Sequence, residues 1–409
     1  MVLIVALWCF AALPSLIDQV QGREVIDVTQ SRSLTGLAAY AQVASIGLVL
    51  LVCAHIIISK AVRPVPRASG WLVVLLLLPW GAAQIATAFS SSDFGISTIY
   101  FPFVLFALWL ANPPLEVIRT IGWLTVLTAG VSLVLMVIAP LIVTIPQSAG
   151  EYAKALVGDR LLAGPYGHPN TLGVAMALGF PAILYIRKSR TRVIGYAATF
   201  AALLLTASRT SLLAVVLGVA VVLLVAVGRG QNVRSQLARV LAYGLASAAL
   251  IAVVVIPLTT VAPESWSNRG RIWITSLQYF AVSPVAGNGP DFYGQVAHFM
   301  TDFNRLAFHG HNMFINVSTT TGWLGLSAFG LVIAAVLRSS VRAAARGNCF
   351  PLMFTAAFAG VSLLEVVTDF RNFGSFAYCA WIPIVLVVFS GRNLQAQVSE
   401  AQLPVEGSS

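Results

Sequence analysis

Long apolar runs dominate this chain, and their length leaves few folds open. A helix needs about 20 mostly apolar residues to cross about 30 Å of hydrocarbon. Candidate spans fall at residues 2–18, 36–59, 70–89, 95–112, 118–145, 171–187, 192–207, 209–227, 239–261, 312–337, 349–368 and 374–390. Runs such as Leu72 to Leu78 and Leu212 to Val227 are apolar on every face, as a spanning helix is. A spanning β-barrel would instead alternate apolar and polar residues over ten-residue segments. Composition agrees: 58% of residues are hydrophobic and only 9% charged, whereas a soluble domain carries about 25% charge. A soluble globule, a disordered chain, a disulfide scaffold and a collagen-like fibre are excluded. The expected fold is an all-α polytopic membrane protein, one transmembrane domain over residues 1–409, with about twelve transmembrane helices and a large, partly helical outer loop before the tenth.

The first span is short, but no Lys or Arg precedes it. It therefore lacks the basic leader of a cleaved signal peptide and reads as a helix. Cys9, Cys53, Cys349 and Cys379 lie in or beside apolar runs without metal-ligand spacing, so they read as small buried hydrophobes.

A formal charge of +10 and a pI near 9.8 would point to nucleic acid in a soluble protein. In a membrane protein the question is which face carries the charge. With the N-terminus inside, the inner connections hold 15 Lys and Arg with 3 acidic residues, and the outer side holds 9 with 11. The split is about +12 inside and −2 outside, which predicts both termini in the cytoplasm and no nucleic-acid partner.

Two outer connections are long enough to hold chemistry: 146–170 and the fifty residues of 262–311. The second carries Trp266, Trp273, Phe280, Tyr293 and Phe303 among polar residues, and reads as a folded cap over an active site. His168, His298, His309 and His311 fall in or at the ends of these loops; His55 alone sits within a span and reads as a packed interior histidine.

Within 146–170, the run from Asp159 to Gly173 contains Gly164-Pro165 and Gly167-His168-Pro169-Asn170. Those are turn residues, with Asn170 a suitable cap for the next helix. Turn chemistry does not explain why Arg160, Tyr166 and His168 crowd at one membrane surface. Arg209, in the short turn Ala207-Ser208-Arg209-Thr210-Ser211, must lie at or just below the interface. It either snorkels to headgroups or faces a cavity and meets an anion.

Arg269 and Arg271 open the large loop, and their planar forks suit a phosphate or pyrophosphate. Pairing with Glu264 or Asp291 is the competing role. Gly287-Asn288-Gly289-Pro290 reads as a tight turn. The loop ends at His309-Gly310-His311-Asn312, and Gly322 and Gly325 follow on the next helix. On a continuous helix these glycines share a stripe within about 40° of His311, which would admit a close neighbouring helix. A metal site from His298, His309 and His311 lacks a carboxylate or thiolate at familiar spacing, so no metal is expected. Glu365 and Asp369, four apart, would share one face of the eleventh helix, with an ion pair to an outer arginine as probable a role as catalysis.

These residues together resemble a family. His311-Asn312, nine residues, Gly322, two residues and Gly325 match a pattern of the O-antigen ligase family. The runs Gly167-His168-Pro169-Asn170-Thr171-Leu172-Gly173 and Ser208-Arg209, Arg269 four residues before Trp273, and Gly287-Asn288-Gly289 occur in the same order. The resemblance covers about residues 150–330 and extends to the O-antigen and other surface-polysaccharide polymerases. It implies a glycosyltransferase in a bacterial plasma membrane. The donor would be a glycan on undecaprenyl pyrophosphate and the acceptor a glycan or lipid, with no cofactor. By position it makes Arg209, Arg269 and His311 catalytic: Arg160, Arg209 and Arg269 would hold the pyrophosphate, and His311 the acceptor hydroxyl or leaving group. Arg271, Tyr166, His168, Asn170 and Asn312 are the further candidates for substrate binding. A twelve-helix transporter is the main alternative, but it would place polar groups at mid-membrane and show repeats. A non-catalytic envelope scaffold has no specific support.

Overall fold

The computed structural model describes residues 1–22, 34, 36–62, 68–90, 92–146, 155, 158–297, 303, 307–368, 371 and 374–390. Helices α1 (Val2–Val20), α2 (Gly36–Ala61), α3 (Gly70–Ala88), α4 (Tyr100–Ala111) and α5 (Arg119–Ile138) lead to a single turn, α6 (Pro140–Val143). A small antiparallel ladder follows, β1 (Thr144–Pro146) with β2 (Arg160–Leu162), in which Pro146 lies opposite Arg160. Then come α7 (Pro169–Gly179), α8 (Ser189–Thr206), α9 (Arg209–Val227), α10 (Val233–Thr259), α11 (Ser265–Val282), α12 (Met313–Ala345) and α13 (Phe350–Ser362). The last described helix, α14, runs Trp381–Ser390.

The chain is an all-α polytopic membrane protein. Among the described residues, seven helices are long and apolar enough to cross a membrane: α1, α2, α3, α5 with its preceding turn, α9, α10 and α12. Each remaining expected span also contains helix, but shorter or less apolar. Residues 96–111, 169–185, 350–362 and 381–390 form shorter apolar helices, and α8 carries Arg190 and Arg192 in its first turn.

Burial sorts the helices into layers. Every residue of α13 is buried, and so is most of α14, so these two form the centre. Apolar side chains such as Leu37, Val43, Leu51 and Ile58 on α2, and Ile251 and Leu258 on α10, stay exposed. An outward apolar face with all backbone bonds made within helices is what lipid requires. His55 is exposed on α2, at the rim of an apolar cavity that Met1, Leu51 and Pro113 also line; the expectation of a packed interior histidine fails. Cys53 and Cys379 are buried, Cys9 and Cys349 half-buried, and all four are free.

Two breaks in the helices shape the end where the polar residues gather. Pro257 has no N–H to give Val253, so that carbonyl is left open within α10. Asn312 fills it: its Nδ2 donates to the carbonyls of Val253 (2.9 Å) and Leu363 (3.0 Å), while its Oδ1 caps α12 by accepting from Ile315 N (3.0 Å). One fully buried side chain thereby ties α10, α12 and the end of α13. The Leu363 carbonyl would serve Val367 N if α13 continued. The helix instead ends at Ser362, and Glu365 sits in a bend beyond it. The expected shared helical face of Glu365 and Asp369 is therefore not formed, and Asp369 lies outside the described residues.

The second break is Gly322, at φ 62°, ψ −158° within α12, a region open essentially to glycine alone. Trp323 N and Leu324 N leave the helix and donate to Pro284 O (2.8 Å) and Val285 O (3.1 Å). The carbonyls they vacate, Thr319 O and Thr320 O, accept instead from Asn288 N (2.8 Å) and Gly289 N (3.0 Å). Backbone groups taken from the helix are thus repaid by the 284–289 turn, as burial demands. A Cβ at Gly322 would strike the Pro284 and Val285 carbonyls, and one at Gly287 the Thr320–Thr321 backbone. The expected stripe of Gly322 and Gly325 against a neighbouring helix is corrected: the helix is broken, and the glycines seat a loop.

Candidate active site

The large loop is a cap built around α11. Trp266, Ser267 and Asn268 each hold left-handed φ near 60°, an uncommon and costly state for such residues. The chain then winds into a regular helix that begins at Arg269. Ile272, Tyr279, Phe292, Tyr293, Phe303 and Ala307 form a small core of their own within this cap. Tyr279 and Phe292 lie with ring centres 5.0 Å apart.

At the helix ends beneath this cap the structure assembles a charged cluster. Arg269 Nη2 lies 2.7 Å from Glu365 Oε1, with the side chains 16% and 11% exposed. Asn170 Nδ2 donates to the same oxygen at 3.3 Å. The partner of Arg269 is therefore neither Glu264 nor Asp291. His309, His311 and Glu365 each bring a ligand-type atom within 4.8 Å of the others, and the two imidazole rings stand 4.1 Å apart. His311 adopts φ 47°, which turns it back over His309. Glu365 is the carboxylate that the histidine spacing alone did not reveal; His298 lies outside the described residues.

His168 caps α7, its Nδ1 accepting from Asn170 N at 3.2 Å. His309 Nδ1 accepts from His311 N at 3.0 Å. A neutral imidazole that accepts at Nδ1 carries its proton on Nε2, so in that form each ring keeps an N–H donor at Nε2. Burial, then Arg269 and His168, push the His309 pKa down to about 4, so His309 is neutral at physiological pH.

Gly173 lets the start of α9 abut the first turns of α7: a Cβ there would meet Ser208 Cβ at 2.7 Å and Ser211 Oγ at 2.9 Å. Arg209 is the first residue of α9 and is exposed. Among the described residues, the Arg209 and Arg271 side chains meet no hydrogen-bond or ion-pair partner, and Arg271 is exposed as well. Arg371 differs, since it grips Asp291 through both Nη atoms.

Three predicted residues are otherwise engaged. Arg160 donates from Nε to Thr144 Oγ1 (2.6 Å) and from Nη2 to Thr144 O (3.1 Å), so it pins the small ladder. Tyr166 is buried, its hydroxyl 2.6 Å from that of Tyr378. Asn312 spends all its polar bonds on the helix tie described above. The geometry unites Arg269, Asn170, His309, His311 and Glu365, sets Ser208–Arg209 beside α7, and leaves Tyr166 and Asn312 in the packing.

Sequence comparison speaks to the same region. Residues 194–330 match the family model described as O-Antigen ligase. That third of the chain holds Arg209, Arg269, Arg271, His311, Asn312 and the Gly287–Gly322 joint. It supports the resemblance to the O-antigen ligase and polymerase superfamily, and with it a glycosyltransferase-like enzyme in a multi-pass bacterial inner membrane. No curated protein matches the chain. The His168–Asn170 turn and Glu365 lie outside the matched span, yet both touch the cluster. Asn316 was missed in the sequence. It lies one turn beyond Asn312, and its Oδ1 accepts from Gly310 N at 3.1 Å, fixing the turn that aims both histidines.

Proposed function

We propose that this chain transfers a glycan from undecaprenyl pyrophosphate to a glycan or lipid acceptor at the outer face of the plasma membrane. The observation that carries the reading is the convergence of Arg269–Glu365, Asn170, His309 and His311, in a chain whose residues 194–330 match O-antigen ligase and which also exposes Arg209 and Arg271 at the starts of α9 and α11.

The acceptor hydroxyl attacks C1 of the donor sugar; the new C1–O bond forms as the bond from C1 to the pyrophosphate oxygen breaks. The electron pair leaves with the pyrophosphate, whose growing charge Arg209, Arg269 and Arg271 would offset. Arg160 would join them only by releasing Thr144. His168 and His309 present N–H donors, which leaves acceptance of the hydroxyl proton, in this reading, to His311. No metal is invoked, because Arg269 already engages the carboxylate a cation would need, and its positive charge would oppose one. Twelve crossings with both termini cytoplasmic accord with the charge split. They would put the starts of α7, α9 and α12 and the end of α13 on the outer side together.

The test is the surface glycan of a deletion strain, resolved by length on a gel. Loss of long chains with single repeats left on the carrier lipid identifies a polymerase. Intact polymer retained on the carrier identifies a ligase, and an unchanged profile refutes the proposal.

A further inference from the structure

Beside the charged cluster lies a cavity of about 270 Å³. His309 belongs to both. The polar part of the wall includes Asp291 and Tyr293 of the cap, Asn316 and Thr320 of α12, and Arg371, and Gly294 of the cap lines it as well. Thr320 lies seven residues into α12, so the cavity runs about 10 Å into the bundle from the histidine turn.

We propose that this cavity binds one neutral monosaccharide unit, the terminal sugar of the acceptor, and so sets acceptor specificity. The inference rests on the glycosyl-transfer reading above. Size is the first argument: pockets for drug-sized ligands run about 300–1,000 Å³, so this one suits a single sugar ring rather than an oligosaccharide.

Charge is the second argument. Arg371 is offset by its two-point pairing with Asp291, so among the described lining residues the charges of both signs balance. A pyrophosphate would find no net positive charge here, whereas the exposed Arg209 and Arg271 lie outside this wall. A polyol asks for the opposite, namely many short-range donors and acceptors. The Asn316 amide, the Thr320 hydroxyl and the Asp291 carboxylate supply them, with Pro290 and Val366 offering apolar surface to the ring. The Thr320 hydroxyl gives its proton to Asn316 O at 2.7 Å, which leaves its oxygen to accept from a sugar hydroxyl. A sugar seated there meets His309 at the mouth, where the neutral ring's Nε2–H can orient the attacking hydroxyl.

Gly294 offers a clean way to close the cavity. It lines the wall, is exposed, and has open space where a Cβ would go. Gly294→Phe should plug the cavity, and Thr320→Val should delete one hydroxyl without changing shape. The full chain in detergent micelles is probed by saturation-transfer NMR with methyl glycosides of common hexoses and deoxyhexoses, and separately with inorganic pyrophosphate.

The expected result is a glycoside signal that Gly294→Phe removes and Thr320→Val weakens, with pyrophosphate binding unchanged. In a transfer assay, Gly294→Phe should raise the acceptor KM at least about tenfold and leave the donor KM unchanged. Glycoside binding indifferent to both variants, or a plug that raises only the donor KM or removes pyrophosphate binding, would overturn the inference. If Gly294→Phe fails to fold, Thr320→Val decides by the same readouts. The two proposals fail separately: plug-sensitive sugar binding without any glycan transfer sinks the enzyme reading alone, and transfer untouched by the plug sinks only the cavity.

Discussion

Two arginine–carboxylate pairs lie on either side of His309, and they differ in what they leave available. Arg371 and Asp291 meet through two bonds, a fork in which the two charges offset each other. Arg269 touches Glu365 through one nitrogen only, and the same carboxylate oxygen also serves Asn170. The second arrangement fixes the arginine in place while keeping the rest of its fork for another anion. Exposed Arg209 and Arg271 are not among the residues that line the cavity beside Arg371. In the proposed reading the first region would hold uncharged sugar and the second phosphate, with His309 shared between them.

The largest expected effect lies on the phosphate side. Arg209→Ala, Arg269→Ala and His311→Ala should each lower glycan transfer by about 10²-fold or more, the scale of losing one stabilising group at a developing anion. Membrane abundance should stay near wild type. Purified protein assayed with lipid-linked donor checks this, and wild-type turnover in all three would end the division of roles.

A smaller loss is expected from Glu365→Gln, because the residue holds Arg269 rather than touching substrate. Removing the carboxylate frees Arg269 from its anchor but keeps its charge, so turnover should fall by about tenfold, less than for Arg269→Ala. Glu365→Asp should recover part of it. An effect as large as Arg269→Ala with no rescue would make Glu365 a direct participant.

How much of this could be read in advance depended on the distance over which the chemistry acts. The apolar runs and the loop arginines are local signals, and they located the helices and Arg269, which the fold brings to the charged cluster. Glu365 sits 96 residues from Arg269, and nothing local marks that meeting. The Gly287 turn and Gly322 were visible singly, but their joint is an exchange of four backbone bonds that no helical stripe encodes. The structural bonds of Asn312 were hidden for a related reason. Its neighbour in the His-Asn pair drew it towards substrate, while Pro257, 55 residues earlier, had created the open carbonyl it fills. The β1–β2 ladder is only three residues a side, too short for alternation to reveal.

Those buried bonds give the third prediction. Asn312→Ala would leave the buried carbonyls of Val253 and Leu363 unsatisfied and strip the cap from α12. Each buried group so stranded costs about 1–3 kcal/mol, so the protein should lose thermal stability and abundance, while the surviving molecules keep their turnover. His311→Ala, one residue away, should do the reverse. Stable but inactive Asn312→Ala protein would return the residue to the substrate.

The smallest effect concerns the shared histidine and acid. In the folded protein the His309 pKa is lowered to about 4 by burial, Arg269 and His168; in the unfolded chain it is about 6.5. Between those values the unfolded chain binds the proton and the folded site refuses it, so stability falls as pH drops through about 6.5 towards 4. Above that window His309 is neutral in both states and contributes nothing to the pH dependence. His309→Gln removes the titration while His168, His311 and Glu365 remain to titrate around it. The melting temperature of detergent-solubilised protein should therefore drop less for His309→Gln than for wild type between pH 7.5 and 5. The sign separates the two sides of the cluster, because a histidine held by a carboxylate would have its pKa raised and would stabilise the fold on acidification. A steeper drop in the variant would mean that His309 answers to Glu365 more than to Arg269, and the neutral donor assigned to the sugar side would be lost with it.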